Sequence, residues 1–281
     1  MKNLIYQYWD TYQSNGIPVG VQACIDNIKM YADRIGAEYL FELDPPHLHN
    51  LEAKAYYGAV NPIFREEFHE YDNVLFLDSD VFAVDNIEEN IFDQITGDIA
   101  MVEEIFDPKL TIVETNRRLG RHVYEAWAAA VEPRYNIKLP RTRDGLLRAF
   151  NSGVVVYSNK GMKKAKESFI PFHDYINLIM RRPVERFFCA DQHYINTSMW
   201  KAGLDVQLLD YRWNTQVMFF NKHPKEILLD KNENTRFVHV QLRGMRWEQN
   251  AETLSKIVNL PVEEWGFGMK NIIERERSRI L

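Results

Sequence analysis

The chain has 281 residues, 34 basic against 40 acidic for a formal net charge of −6, and is 46% hydrophobic, 26% charged and 13% aromatic. Those proportions exclude collagen-like, disulfide-scaffold and wholly disordered classes, and the acidic balance leaves no excess cation for a nucleic-acid backbone or an anionic membrane. The length suits one domain, no apolar run approaches the ~18 residues that span a bilayer, and Met1 to Asp10 holds no signal-peptide core, so a soluble, cytoplasmic protein is expected.

Residues 4–8 read as an opening strand, and Gly16-Ile17-Pro18 breaks the chain before a helical face of Val21, Cys24, Ile25, Ile28, Tyr31 and Ile35. A second strand, 38–43, ends at Asp44-Pro45-Pro46, and a helix over about 51–68 is kinked or restarted at Pro62. Val74-Leu75-Phe76-Leu77 is apolar without alternation, as a strand buried on both faces of a largely parallel sheet must be. A short helix at 87–95, a strand at 99–102 and a helix over 116–131 follow. Beyond them the pattern predicts a strand at 154–157, one long helix over 160–180, a helix at 191–200 and late strands at 206–209 and 237–240. The charged stretch 270–279 reads as a peripheral C-terminal helix, against a reading as a partner-binding helix. Cys24 and Cys189 are too few for a zinc quartet and read as reduced core thiols.

Asp78-Ser79-Asp80 follows the 74–77 strand directly. With 17 aspartates in the chain, two acids flanking one residue recur by chance, so position carries the weight. In open α/β sheets ligands bind beyond the carboxyl ends of strands. A carboxylate pair on that rim repels itself until a cation or a proton relieves it. A hard divalent ion there suits a diphosphate, whose departing charge it neutralises; the competing reading is an Asp-based turn or helix cap. His239, in the late strand Phe237-Val238-His239-Val240, is the best placed third ligand, against a reading as a hydrogen-bonded core histidine. Two carboxylates and an imidazole favour Mn²⁺ over Ca²⁺.

These residues carry a resemblance. Tyr71-Asp72-Asn73-Val74-Leu75-Phe76-Leu77-Asp78-Ser79-Asp80-Val81, Phe150-Asn151-Ser152-Gly153-Val154, Asp191-Gln192, Trp213-Asn214 and the His239…Trp247 spacing occur in the order found in GT-A-fold glycosyltransferases of the glycogenin and bacterial galactosyltransferase group, a family 8-like pattern. The resemblance implies a single α/β domain over 1–247, with a mixed, mostly parallel sheet flanked by helices. Its nucleotide-binding half is 1–102 and its acceptor half 103–247, with a helical extension over 248–281. It implies Mn²⁺ (or Mg²⁺) on Asp78, Asp80 and His239. Asp191 and Gln192 become the catalytic pair, surrounding the donor sugar with Asn151. Gln7, Tyr8, Lys54, Ser79 and Ser152 join Asn151 on the donor side. For Tyr8 core packing is an equal reading, and for Lys54 a solvated surface position.

The pattern departs from the family in its closing segment, where Leu242, Met245 and Arg246 replace glycine, lysine and proline. Arg243 or Arg246 is then the cation expected at the diphosphate, since guanidinium grips phosphate in a bidentate way. The activity implied is metal-dependent transfer of a sugar from a nucleotide-diphosphate donor, UDP-linked, to a glycan or other hydroxyl acceptor with retention. The alternatives are a HAD-like Mg²⁺-dependent phosphatase and a non-catalytic protein that binds sugar nucleotides or glycans.

Overall fold

The computed structural model describes residues 1–11, 14, 16–45, 55–104, 121–143, 145–216, 235–242 and 246–260. Among them a six-stranded sheet has the order β2-β1-β3-β6-β5-β7, built from β1 (Asn3–Trp9), β2 (Glu38–Leu43), β3 (Asn73–Leu77), β5 (Ile99–Glu103), β6 (Phe150–Ser158) and β7 (Val206–Leu209). β1 runs parallel to both β2 and β3, and β5 parallel to β7, whereas β6 is antiparallel to β3 and β5. The reversed strand therefore begins at the rim where β1, β3 and β5 end. A smaller sheet of β4 (Val81–Ala83), β9 (Phe237–His239) and β8 (Thr215–Gln216) stands beside that rim.

Alternation explains the unbroken apolar runs. Leu4, Tyr6, Val74, Phe76, Ile99, Met101, Val155 and Tyr157 enter one core, with Trp127, Met162, Tyr175 and Tyr194 from the helices covering that face. Ile5, Leu75, Leu77, Ala100, Val102, Val154 and Val156 enter a second core on the opposite face, with Cys24, Ile28 and Tyr31 of helix α1 (Val19–Ile35) and with Trp213, Phe237 and Leu254. A strand with helices on both sides has no polar face to show. Helix α1 begins after Pro18 and ends at Gly36, whose φ of 68° is the left-handed cap that glycine takes without strain.

Several predicted elements change. The helix expected over 51–68 is, from Ala55 onward, a 3₁₀ turn (Ala55–Val60), a single α turn, α2 (Asn61–Phe64), with Pro62 in its first turn, and another 3₁₀ turn (Glu66–Glu70); 51–54 lie outside the described residues. At 87–95 only the 3₁₀ turn Ile91–Gln94 forms. Helix α3 (Arg121–Tyr135) continues past 131 through Pro133 and ends where Asn136 takes φ 52°. The expected long helix over 160–180 is two, α4 (Asn159–Ser168) and α5 (Phe172–Met180). Pro171 forces the break: it has no N–H to donate and disfavours helical geometry in the residue before it. Helix α6 (Asp191–Lys201) forms as expected, and α7 (Ala251–Val258) packs Leu254 and Val258 into the second core. The stretch 270–279 lies outside the described residues. No helix among those described is long and apolar enough to cross a membrane.

Candidate active site

The acid pair sits where the sheet opens. Asp78 N–H donates to the Gly153 carbonyl at 2.9 Å, continuing the β3–β6 ladder by one step, and Val81 N–H donates to the Asp78 carbonyl at 3.1 Å to close a tight turn. Ser79 Oγ ties the turn to β1 through the Tyr8 carbonyl (3.0 Å), and Gln7 Nε2 donates to the Asp78 carbonyl from beneath (3.1 Å). The Cys24 thiol donates to the Val81 carbonyl (3.0 Å).

His239 reaches the same place from β9, paired with Val81 of β4. Its Nε2 lies 3.2 Å from Asp80 Oδ1 and 3.9 Å from Asp78 Oδ2, and one ligand atom from each of the three residues falls within 4.8 Å of the others. Val240 N–H and Leu242 N–H donate to the Asp80 carbonyl and Oδ2, so the chain after β9 is fastened to the acid pair. Asp80 Oδ1 is buried, with the His239 ring nitrogen as its neighbour and no other hydrogen-bond partner among the described residues. Two carboxylates and an imidazole turned toward one another fit a divalent cation with mixed oxygen and nitrogen ligands. The electrostatics agree. Burial, and after it the Asp80 charge, pushes the Asp78 carboxyl above the usual carboxylate range. Burial works against a proton on His239, but the Asp80 and Asp78 carboxylates prevail and raise its pKa.

Beside this cluster the start of β6, the end of β5 and the start of α6 converge. Asn151 Nδ2 donates to Glu104 Oε1 (2.8 Å) and Gln192 Oε1 (3.2 Å), and Gln192 Nε2 donates to Glu104 Oε2 (2.9 Å). Asn214 Nδ2 donates to Asn151 Oδ1 at 2.7 Å, and His239 Nδ1 lies 3.0 Å from Asn214 Oδ1. Asp191 opens α6. Burial pushes its carboxyl up, opposed by the Gln192 N–H and the Ser152 hydroxyl that donate to it. Asp78, Asp80, His239, Asn151, Ser152, Asp191 and Gln192 are thus brought to one rim.

One donor-side expectation changes. Gln7 is fully buried, with its amide committed to the Asp78 carbonyl, Cys24 Sγ and the Tyr39 hydroxyl, so it braces the acid turn from behind. Strand alternation puts it on the face covered by α1. Tyr8 is half-buried, stacked near Tyr6 and Phe76 and so close to Gly58 that a Cβ there would lie 2.1 Å from its ring. Lys54 and Arg243 lie outside the described residues, and Arg246 contributes backbone to the 3₁₀ turn Arg246–Gln249 while its side chain lies outside them. Glu104 and the role of Asn214 were not anticipated. Glu104 follows β5 as Asp78 follows β3, and the strand-end argument applied to a second strand finds it.

The sequence model described as Glycosyl transferase family 8 matches residues 62–241, well over half of the chain. No curated protein matches the sequence. Among solved structures, the bifunctional glycosyltransferase WbbM in its apo form aligns with a TM-score of 0.60 at 13% identity over 98% of this chain, which spans about half (51%) of that one. The galactosyltransferase LgtC in complex with donor and acceptor sugar analogues gives 0.47 at 14% identity over 94% of this chain and 99% of its own. Mouse xyloside xylosyltransferase 1 gives 0.49 at 14% identity over 86% and 98%. Nothing in these matches supports the phosphatase alternative, and Asp78 follows β3, the third strand among the described residues, behind β1, α1 and β2. The chain belongs to glycosyl transferase family 8 and has the GT-A fold of glycosyltransferases.

Proposed function

We propose that the protein transfers a hexosyl group from a nucleotide-diphosphate sugar, UDP-linked, to a hydroxyl of a glycan acceptor, with retention of anomeric configuration. Asp78, Asp80 and His239 hold Mn²⁺ (or Mg²⁺) in this reading, and residues 1–102 and 103–247 serve as nucleotide and acceptor halves. The observation that carries it is the convergence of the Asp78, Asp80 and His239 ligand atoms, set beside the amides of Asn151 and Gln192. When bound, the metal supplies charge for the diphosphate as it departs. The chain's own side chains do the rest. Gln192 has no titratable proton and acts by orientation, its amide held by Glu104 and Asn151. Asp191, desolvated at the start of α6, presents charge where an oxocarbenium-like centre would develop. In this reading Asp191 acts as a fixed charge, and the leaving diphosphate takes the acceptor's proton. Arg243 or Arg246 is the proposed cation that closes over the diphosphate.

A screen of sugar nucleotides with Mn²⁺, read by nucleotide release, is expected to find turnover with a UDP-linked donor that a chelator abolishes and added Mn²⁺ restores. Asp80→Ala should lower turnover at least about a hundredfold. Calorimetry then checks the assignment: Asp80→Ala binding Mn²⁺ and UDP as tightly as the parent means the metal site is wrong. Proton NMR of the product linkage decides retention, and a β product from an α-linked donor would sink it.

A further inference from the structure

The hydrogen-bond chain from Glu104 to His239 has only one possible direction, and its starting point is backbone. Gly153 N–H can only donate, and it donates to Asn151 Oδ1 at 2.9 Å. That fixes which end of the Asn151 amide is oxygen and turns Nδ2 toward Glu104 Oε1, a carboxylate acceptor 2.8 Å away. The group 2.7 Å from Asn151 Oδ1 on the other side must therefore be a donor, Asn214 Nδ2. Asn214 then presents its oxygen to His239 Nδ1 at 3.0 Å, and an oxygen there accepts only if Nδ1 carries a hydrogen. Asn214 is fully buried and His239 nearly so, which keeps bulk water from offering the amide an alternative partner.

We infer that Asn214 is a positioning residue that holds His239 with its hydrogen on Nδ1, so that the Nε2 lone pair faces Asp78 and Asp80. The orientation of Asn214 is set in turn by Asn151, and that of Asn151 by Gly153 and Glu104. The inference rests on the metal reading of Asp78, Asp80 and His239. The opposite tautomer would place a hydrogen where the cation must sit. Groups that orient a ligating histidine through its other nitrogen typically govern metal affinity by about 10- to 100-fold. Gly153 has a second part in the arrangement. A Cβ at this position would lie 2.6 Å from His239 Cε1 and 2.9 Å from Nδ1, so the ring rests on bare backbone.

The test uses ¹⁵N-histidine-labelled full-length protein without metal at alkaline pH, the His239 signals being assigned by their loss in His239→Gln. Without metal, Asp80 Oδ1 at 3.2 Å from Nε2 competes for the ring hydrogen, so the parent should show Nδ1–H as the major tautomer and Asn214→Ala a shift toward Nε2–H. Mn²⁺ affinity without nucleotide, read by electron paramagnetic resonance, should fall about 10- to 100-fold in Asn214→Ala. An Nε2–H tautomer in the parent overturns the inference, even if Asn214→Ala fails to fold. So does an Asn214→Ala protein that keeps both the parent tautomer and the parent affinity. A parent that binds Mn²⁺ no better than His239→Gln overturns the metal reading itself, which the metal-free tautomer signal does not depend on.

Discussion

Gly153 decides how near the His239 imidazole can lie to strand β6, because the ring occupies the space that any side chain at this position would need. Gly153→Ala should leave the sheet assembled, since no left-handed backbone is required there, but should push the ring away from Asp80. With Mn²⁺ on the cluster as proposed, its affinity is expected to drop about tenfold or more, with unchanged far-ultraviolet circular dichroism; parent affinity in calorimetry would show that the ring has room. The acid pair was legible in the sequence because an unbroken apolar strand precedes it, and position on a strand end is chemistry-neutral information that any reader has. Gln7 was not. Its place at the end of β1 looks like the rim, but a period of two sends alternate side chains to opposite faces, and only the packing of α1 tells which face is closed. Glu104, Asn151 and Asn214 meet through residues up to 110 positions apart, and no local pattern encodes that meeting.

At the scale of elements, one buried acid ties several together. Asp98, at the start of β5, accepts from the Asp205 N–H before β7 (3.0 Å) and pairs with Lys160 and Lys164 of α4 at 3.2 Å each. Burial alone would raise its pKa, yet the Asp205 N–H and the two ammonium groups outweigh it and hold the carboxyl below its usual range. A depressed pKa means that the unfolded chain takes up the proton first as pH falls. The stabilisation is therefore complete above an ordinary aspartate pKa and is lost as pH drops through the folded value. Asp98→Asn should cost about 1–3 kcal/mol at neutral pH and flatten the acid limb of the stability curve. Urea unfolding at a series of pH values checks both, and a variant as acid-sensitive as the parent would show that other carboxylates carry that limb. The strands of the large sheet and α1, α6 were legible because their apolar periods are long. β4 and β8 were not: two and three residues are too short for a period, and both exist through pairing with β9. The α4–α5 break was written in Pro171 and outweighs the apolar spacing that runs through it.

Over the whole molecule, the two apolar cores share the same strands, Leu75 facing one and Phe76 the other. Neither core can open without exposing the back of the strands that line its neighbour, so unfolding in a single transition is expected. Leu75→Ala should cost about 2–5 kcal/mol and shift the fluorescence of Trp127, in the opposite core, together with that of Trp213. Separate midpoints for tryptophans on the two faces would show two cooperative units. The small sheet carries a kinetic consequence of the same architecture. Two of the three clustered ligands sit beside β3, while the third arrives on β9, a late strand that must find β4 across most of the sequence, and contacts of such separation form slowly. A chain that has collapsed around β1, β3 and β6 but not yet docked β9 offers two carboxylates and no imidazole. If the cluster takes Mn²⁺ as proposed, gain of tight binding during refolding would lag behind the burial of Trp127, making the cation a clock for the last step of assembly.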